Sequence, residues 1–180
     1  MSTETLDRPA RAAQSAAGKY LTFALGREEY GLQILKVREI IGFMDITAVP
    51  QTPAYVRGVI NLRGQVISVV DLRAKFGMPA ADRTDQTCII VVEIRQPGTG
   101  GGGQGGAGGR KLSTGIVVDR VSEVLSIAAD AIEEPPAFGT GVSTDFIVGM
   151  AKAGHGVKIL LDIDRVLGGD GADALARLAA

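Results

Sequence analysis

Four features of this 180-residue chain carry residue types that could do bond chemistry or hold a ligand. The first is His155, the one histidine, set between Gly154 and Gly156. An imidazole can serve as a general base, but a predicted hairpin tip offers it no buried partner to orient it. It reads as an exposed turn residue, and any Ser-His-Asp or Cys-His arrangement would have to use it. The second is Cys88, the one cysteine, which opens the apolar run Cys88-Ile89-Ile90-Val91-Val92. No positive neighbour is poised to lower its pKa, so it reads as a small buried hydrophobe. The third is the pair Asp162 and Asp164, two apart and able to share a strand face. They could bind a cation, but Asp162 stands at a strand end, where a turn or helix-capping role accounts for it. The fourth is the segment 98–109, which holds nine glycines and G-x-G-x-x-G spacings such as Gly98, Gly100 and Gly103. A dinucleotide site needs a helix N-terminus directly behind such a loop, whereas Arg110-Lys111-Leu112 leads into a strand. Gly18-Lys19 is followed by Tyr20 rather than Ser or Thr, so it is no P-loop. No catalytic residue, metal site or cofactor is expected from any of these.

Composition narrows the partner class. Nineteen Lys and Arg face twenty Asp and Glu, a net charge of −1, which leaves no basic footprint for nucleic acid. Aromatic residues are 4% of the chain, too few for base-stacking platforms. A single Cys excludes an internal disulfide, one Cys with one His excludes a Cys/His metal cluster, and the usage fits a reducing compartment. No apolar stretch approaches the ~18 residues of a membrane span, so no membrane insertion is expected. Residues 1–17 carry Glu4 and Asp7 early and lack a hydrophobic stretch. They are read as a disordered tail rather than a signal peptide.

The elements that would position any site are short and rich in Val, Ile and Leu. Runs 20–25 and 29–34 flank Gly26-Arg27-Glu28, and runs 55–62 and 65–72 flank Arg63-Gly64. Runs 146–152 and 157–163 flank residues 153–156. Each is a hairpin signal, and strands this closely spaced argue for small barrels or sandwiches. The glycine-rich stretch lies between strand-like runs 87–95 and 111–119, so it reads as an enlarged hairpin loop. Lengthening a loop is cheap, about 0.6 kcal/mol per doubling. One helical turn is expected over 72–76 and another over 164–167, with a weak terminal helix over 172–178. Ile34, Val37, Ile40 and Ile41 have helical spacing but β-branched composition, and the segment fits either a helix or an irregular strand.

The chain also resembles itself. At an offset of 91, Gly58, Val66, Asp71 and Gly77 meet Gly149, Val157, Asp162 and Gly168, while Val70, Leu72 and Phe76 meet Leu161, Ile163 and Leu167. At an offset of 84, Gly31, Lys36, Val37 and Glu39 meet Gly115, Arg120, Val121 and Glu123. The seven-residue change falls around Pro50 and Pro135. The body therefore reads as two copies of one strand–hairpin–hairpin–helical-turn unit. Each copy is too short for a large core, so the two are expected to pack together.

The run Gly58-Val59-Ile60-Asn61-Leu62-Arg63-Gly64-Gln65-Val66-Ile67-Ser68-Val69-Val70-Asp71-Leu72 closely resembles the G-V-I-N-L-R-G-x-v-i-P-v-v-D-L signature of the CheW family of bacterial chemotaxis coupling proteins. Tyr30-Gly31 followed by residues 34–41, Gly115-Ile116-Val117-Val118-Asp119-Arg120-Val121, and Leu161-Asp162-Ile163 are similar to further motifs of that family. The similarity covers residues 19–167. It implies an all-β fold of two small five-stranded SH3-like β-barrels packed together, with short helical turns, and allows the halves to exchange strands. The corresponding domain would span 18–168, with barrels at about 20–77 and 88–168, the insertion 98–109 and a C-terminal tail 169–180. The resemblance also implies a non-enzymatic cytoplasmic adaptor, recruited to membrane-associated arrays, that joins chemoreceptor tips to the regulatory domain of the histidine kinase CheA. By motif position the receptor groove would include Leu21, Ile34, Val37, Ile40 and Val121, and Glu39 and Arg63 would be polar coupling positions. Two features depart from the family pattern. Ser68 replaces a proline, which frees one more backbone donor, and the glycine-rich insertion is foreign to the family.

Overall fold

A computed structural model describes residues 17–96, 110–134, 146–153 and 156–167. The tails, the glycine stretch 98–109, His155 and Gly168 lie outside the described residues. The strands are β1 Gly18–Leu25, β2 Glu28–Gln33, β3 Val37–Gly42, β4 Val56–Leu62, β5 Gln65–Asp71, β6 Cys88–Gln96, β7 Arg110–Val118, β8 Arg120–Ile127, β9 Ile132–Glu133, β10 Ile147–Ala153 and β11 Gly156–Leu161. The helical turns are α1 Leu72–Lys75 and α2 Ile163–Leu167, with 3-10 turns at Ile34–Lys36 and Ala129–Ala131. The fold is all-β, in two sheets: β8-β1-β2-β11-β10-β9 and β3-β6-β7-β5-β4.

The local signals explain most elements. Arg63 and Gly64 both have positive φ, 54° and 84°, the pairing a tight two-residue hairpin needs. The Asn61 side-chain oxygen accepts from the Gly64 N–H at 2.9 Å and holds that turn. Asp71 and Asp162 cap α1 and α2, accepting from the N–H groups of Arg73 (2.9 Å) and Asp164 (3.1 Å). The segment after β2 combines both readings of its sequence. Residues 34–36 make one 3-10 turn, and the β-branched run that follows is strand β3. Strands β6 and β7 pair from Cys88–Val118 out to Gln96–Arg110, so the glycine stretch joins the two arms of one hairpin.

The expected halves at about 20–77 and 88–168 are not the units that the sheets form. β1 and β2 join β8–β11, and β6 and β7 join β3–β5. One barrel is therefore contiguous, 37–118, and the other is split, 18–33 with 120–161. The exchange is made by two parallel pairings, β2 with β11 and β5 with β7. Gly31 opposes Leu160 in the first and Gly115 opposes Val69 in the second. A Cβ on Gly31 would come within 2.9 Å of the Leu160 side chain, and one on Gly115 within 2.8 Å of Ile89, so close packing demands glycine at both. Both offsets of the repeat are thus the same strand pairing seen twice.

Each barrel closes by a short return of the chain. In the contiguous barrel Thr47 and Val59 exchange backbone hydrogen bonds of 2.8 and 2.9 Å. In the split barrel the two-residue β9 pairs with Met150 and Ala151 of β10, which gives that sheet a sixth strand beyond the expected five.

Three cores result. Ile60, Ile67, Val69, Ile89, Val91 and Val117 fill the contiguous barrel, and Tyr20, Ile127, Ala151 and Leu160 fill the split one. The largest core, sixteen buried residues, lies between the barrels and draws on both, with Leu32 and Leu161 from one side and Val70 and Val118 from the other. Most apolar burial is therefore shared, so each barrel leans on the other for stability. Four of the few aromatic rings, Phe23, Tyr30, Phe76 and Phe146, stack in series along this seam with centroids 5.4–5.9 Å apart.

Candidate functional site

Strands β3 and β8 are the terminal strands of their ladders and occupy equivalent positions, one in each barrel. Both are bulged at the same point. In β3 the register slips between Val37, opposite Val92, and Glu39, opposite Val91. In the β1–β8 pair it slips between Phe23, opposite Val121, and Leu21, opposite Val124. A bulge inserts one residue and re-aims the strand. Here it leaves Val37 and Val121 partly buried against the inter-barrel core, each next to a junction where the chain passes from one barrel to the other.

The sequence-predicted groove residues separate into three groups. Ile34, Val37 and Val121 come together as partly buried side chains on the shared core. Ile40 stands 45% exposed on the outer face of β3. Leu21 is only 2% exposed, a member of the core itself, so it supports the wall from beneath rather than forming its surface. Motif position alone could not make that distinction, because burial is set by how the two barrels pack: β1 lies between β8 and β2 in its sheet, and Leu21 on it belongs to the shared core.

Two residues were missed. Val124 on β8 is 50% exposed and lies 84 positions from Ile40, so the repeat would have assigned it to the second wall. Leu35 is 92% exposed at the 3-10 junction, and no periodic signal marked it. Together these give an apolar surface on both sides of the seam with a solid core behind it.

The polar positions behave differently. Arg63 reaches from its hairpin tip to Glu39, donating from both terminal nitrogens to the two carboxylate oxygens at 3.1 and 3.0 Å. Arg63 remains 75% exposed, so the pair holds the guanidinium beside the β3 wall and still presents it outward. Glu123, the repeat counterpart of Glu39, has an exposed side chain, while its backbone N–H and C=O bond the Thr22 hydroxyl at 3.1 and 2.8 Å.

Of the groups weighed for chemistry, Cys88, Asp162 and Asp164 lie among the described residues. Burial pushes the Cys88 thiol above its ordinary pKa, and a backbone hydrogen bond to Val121 only partly opposes it, which is the opposite of thiolate activation. Asp162 is engaged in capping. Among the described residues no cluster of His, Cys, Asp and Glu could hold a metal ion. A cavity of about 300 Å³ beside α1 is lined by Arg57, Arg73, Asp71 and Asp119, which already pair with one another, and no groove residue lines it. No helix among the described residues is long and apolar enough to cross a membrane.

Comparison with known proteins settles the family. Residues 19–170 match the CheW-like domain. The chain belongs to the CheW family of chemotaxis adaptors. It is 36% identical to the chemotaxis protein CheW of Klebsiella aerogenes over 156 residues, covering 87% of this chain and 85% of that protein. It is 31% identical to the chemotaxis protein CheW of Treponema pallidum over 162 residues, covering 88% and 86%. The crystal structure of the scaffolding protein TtCheW from Thermoanaerobacter tengcongensis superposes with a TM-score of 0.69 at 34% identity, over 86% of this chain and 95% of that one. The all-β expectation and the family resemblance both hold.

Proposed function

We propose that this chain is a non-enzymatic cytoplasmic adaptor that couples the tips of chemoreceptors to the regulatory domain of the histidine kinase CheA. A receptor helix lies in the groove along the seam. Ile34, Val37, Ile40 and Val121 supply the apolar contacts, and Leu21 backs them from the core. Arg63, held by Glu39, contacts the kinase or receptor at the rim. The observation that carries this reading is the pair of equivalent bulged strands presenting Val37 and Val121 on either side of one shared core. Such a surface suits an amphipathic helix, whose apolar stripe needs aliphatic anchors and whose orientation is set by rim charges.

The test is reconstitution with a receptor cytoplasmic fragment and CheA, reading kinase autophosphorylation. Receptor control of the kinase appears only when this chain is present. Equal receptor control without it contradicts the proposal.

A further inference from the structure

Among the described residues the chain passes between the barrels at two places: residues 34–36, from β2 to β3, and Asp119, from β7 to β8. Each crossing holds a charged side chain in an ion pair with a helical turn: the one leading into β3 with α2, which follows β11 of the split barrel, and the one leading into β8 with α1, which follows β5 of the contiguous barrel. At the first, Lys36 Nζ donates to Asp164 Oδ2 of α2 at 2.6 Å. At the second, Arg73 of α1 grips Asp119 in a fork, Nε to Oδ1 at 2.8 Å and Nη2 to Oδ2 at 2.5 Å. Asp119 Oδ2 also accepts the Gly26 N–H at 2.7 Å, which ties in the β1–β2 hairpin tip. Arg73 and Asp164 are repeat counterparts, 91 positions apart, yet they carry opposite charge. The two helical turns therefore supply one member of each pair from the same repeat position with reversed charge, while their partners Lys36 and Asp119 occupy different repeat positions. By contrast, Arg57–Asp71, Arg63–Glu39 and Lys158–Glu29 each stay within one barrel.

Both clamps sit beside the groove. Val37 directly follows Lys36, and Val121 lies two residues beyond Asp119. The groove walls belong to different barrels, so their separation is set by the angle between the barrels. The shared apolar core resists separation, but hydrophobic burial is non-directional and tolerates small rotations. Directional ion pairs at both crossings would remove that freedom.

We infer that Lys36–Asp164 and Arg73–Asp119 are positioning pairs that fix the inter-barrel angle and thereby the spacing of β3 and β8 across the groove. This rests on the proposed receptor-binding reading for its functional consequence, but not for its structural one. Holding the two walls at their binding distance before the helix arrives reduces what must be ordered on association.

The test uses the full chain with Cys88→Ala and single cysteines at Val66 and Val157, equivalent exposed positions with one in each barrel. Spin labels there report the inter-barrel distance distribution by pulsed electron resonance. Lys36→Asp or Asp164→Lys alone broadens the distribution, and the double swap restores it. In the same proteins without labels, each single change weakens binding of a receptor cytoplasmic fragment about threefold to tenfold at 25 °C, well below the melting transition, and the swap restores affinity. A purely stabilising role would lower Tm and leave both readouts of the folded protein unchanged. Distributions as narrow as wild type in the single variants overturn the inference. So does broadening without loss of affinity, which would leave the pairs with no bearing on the groove. If the wild-type chain does not bind the fragment, the receptor-binding reading fails by itself, and the distance distributions still decide whether the pairs set the angle.

Discussion

The two barrels share one backbone plan and secure the groove-forming bulge by different chemistry. In the split barrel Thr22 sits fully buried opposite the bulge, and its hydroxyl bonds both backbone groups of Glu123. In the contiguous barrel the residue opposite the bulge is Val91, which has no hydroxyl, and the fixing contact is the exposed Arg63–Glu39 pair. The bulge residues follow the same plan. Arg38 donates to Ser113 Oγ at 2.8 Å, and its counterpart Ser122 donates to Glu29 at 3.4 Å. Two equal walls would bind any helix identically in both directions. On the proposed receptor-binding reading, locking one wall from inside and the other by a surface charge gives the groove one rim that a partner can address.

The largest break is at barrel closure. Gly58 has φ +143°, and a Cβ there would fall onto the Thr47 carbonyl oxygen of the closing bridge. Gly58→Ala should cost about 3 kcal/mol or more, a Tm fall of roughly 10 °C by scanning calorimetry. At Gly149 of the split barrel the added Cβ meets the Ile132 side chain at 2.6 Å and the Glu133 oxygen at 3.0 Å, without a positive φ, so Gly149→Ala should cost less. Equal losses would mean that the two closures are the same device.

The two locks should separate next. Thr22→Val removes the buried hydroxyl that bonds the Glu123 N–H and C=O, a loss of about 1–3 kcal/mol in urea unfolding. Arg63→Ala breaks an exposed pair worth less than about 1 kcal/mol and should leave unfolding nearly unchanged, yet it should reduce receptor control of CheA. Stability effects of the reverse order would refute the assignment of an internal and an external lock.

The smallest effect is in acid. The Arg73 hydrogen bonds, then the Gly26 N–H, outweigh burial and hold the Asp119 carboxyl below its ordinary range. Its folded pKa lies below its unfolded value of about 3.9, so its contribution is complete above that pH. It is lost as the pH falls through the folded pKa. The stability gap between wild type and Asp119→Asn should therefore narrow only below about pH 4. A gap already closing at pH 6 would contradict the charged pair.

Much of this was legible in the sequence because it rests on local constraints. The turns at Gly26 and Arg63-Gly64, the caps Asp71 and Asp162 and the all-β architecture each follow from a residue type that one conformation requires. The repeated glycines Gly31, Gly58, Gly115 and Gly149 are repeated because each faces a close approach. What could not be read was partner choice among similar strands. β2 pairs with its sequence neighbour β1 on one edge, and only the closed assembly selects β11 for the other. The resemblance allowed strands to exchange between the halves without saying which ones. The same limit placed Leu21 on the groove surface, whereas its side chain is packed into the core between the barrels. Val124 was within reach, since the 84-residue offset carries Ile40 onto it.

The central claim is that a receptor helix occupies the seam between the barrels. Methyl NMR of the Ile-, Leu- and Val-labelled chain, titrated with a receptor cytoplasmic fragment, tests it most directly. The largest shifts should fall on Val37, Val121, Ile34 and Ile40, with smaller ones at Leu21 beneath, and none at the hairpin positions Val66 and Val157. Val37→Glu should abolish the shifts while leaving the circular dichroism spectrum unchanged. Shifts confined to Val66 and Val157, or undiminished in Val37→Glu, would place the partner elsewhere and contradict the account.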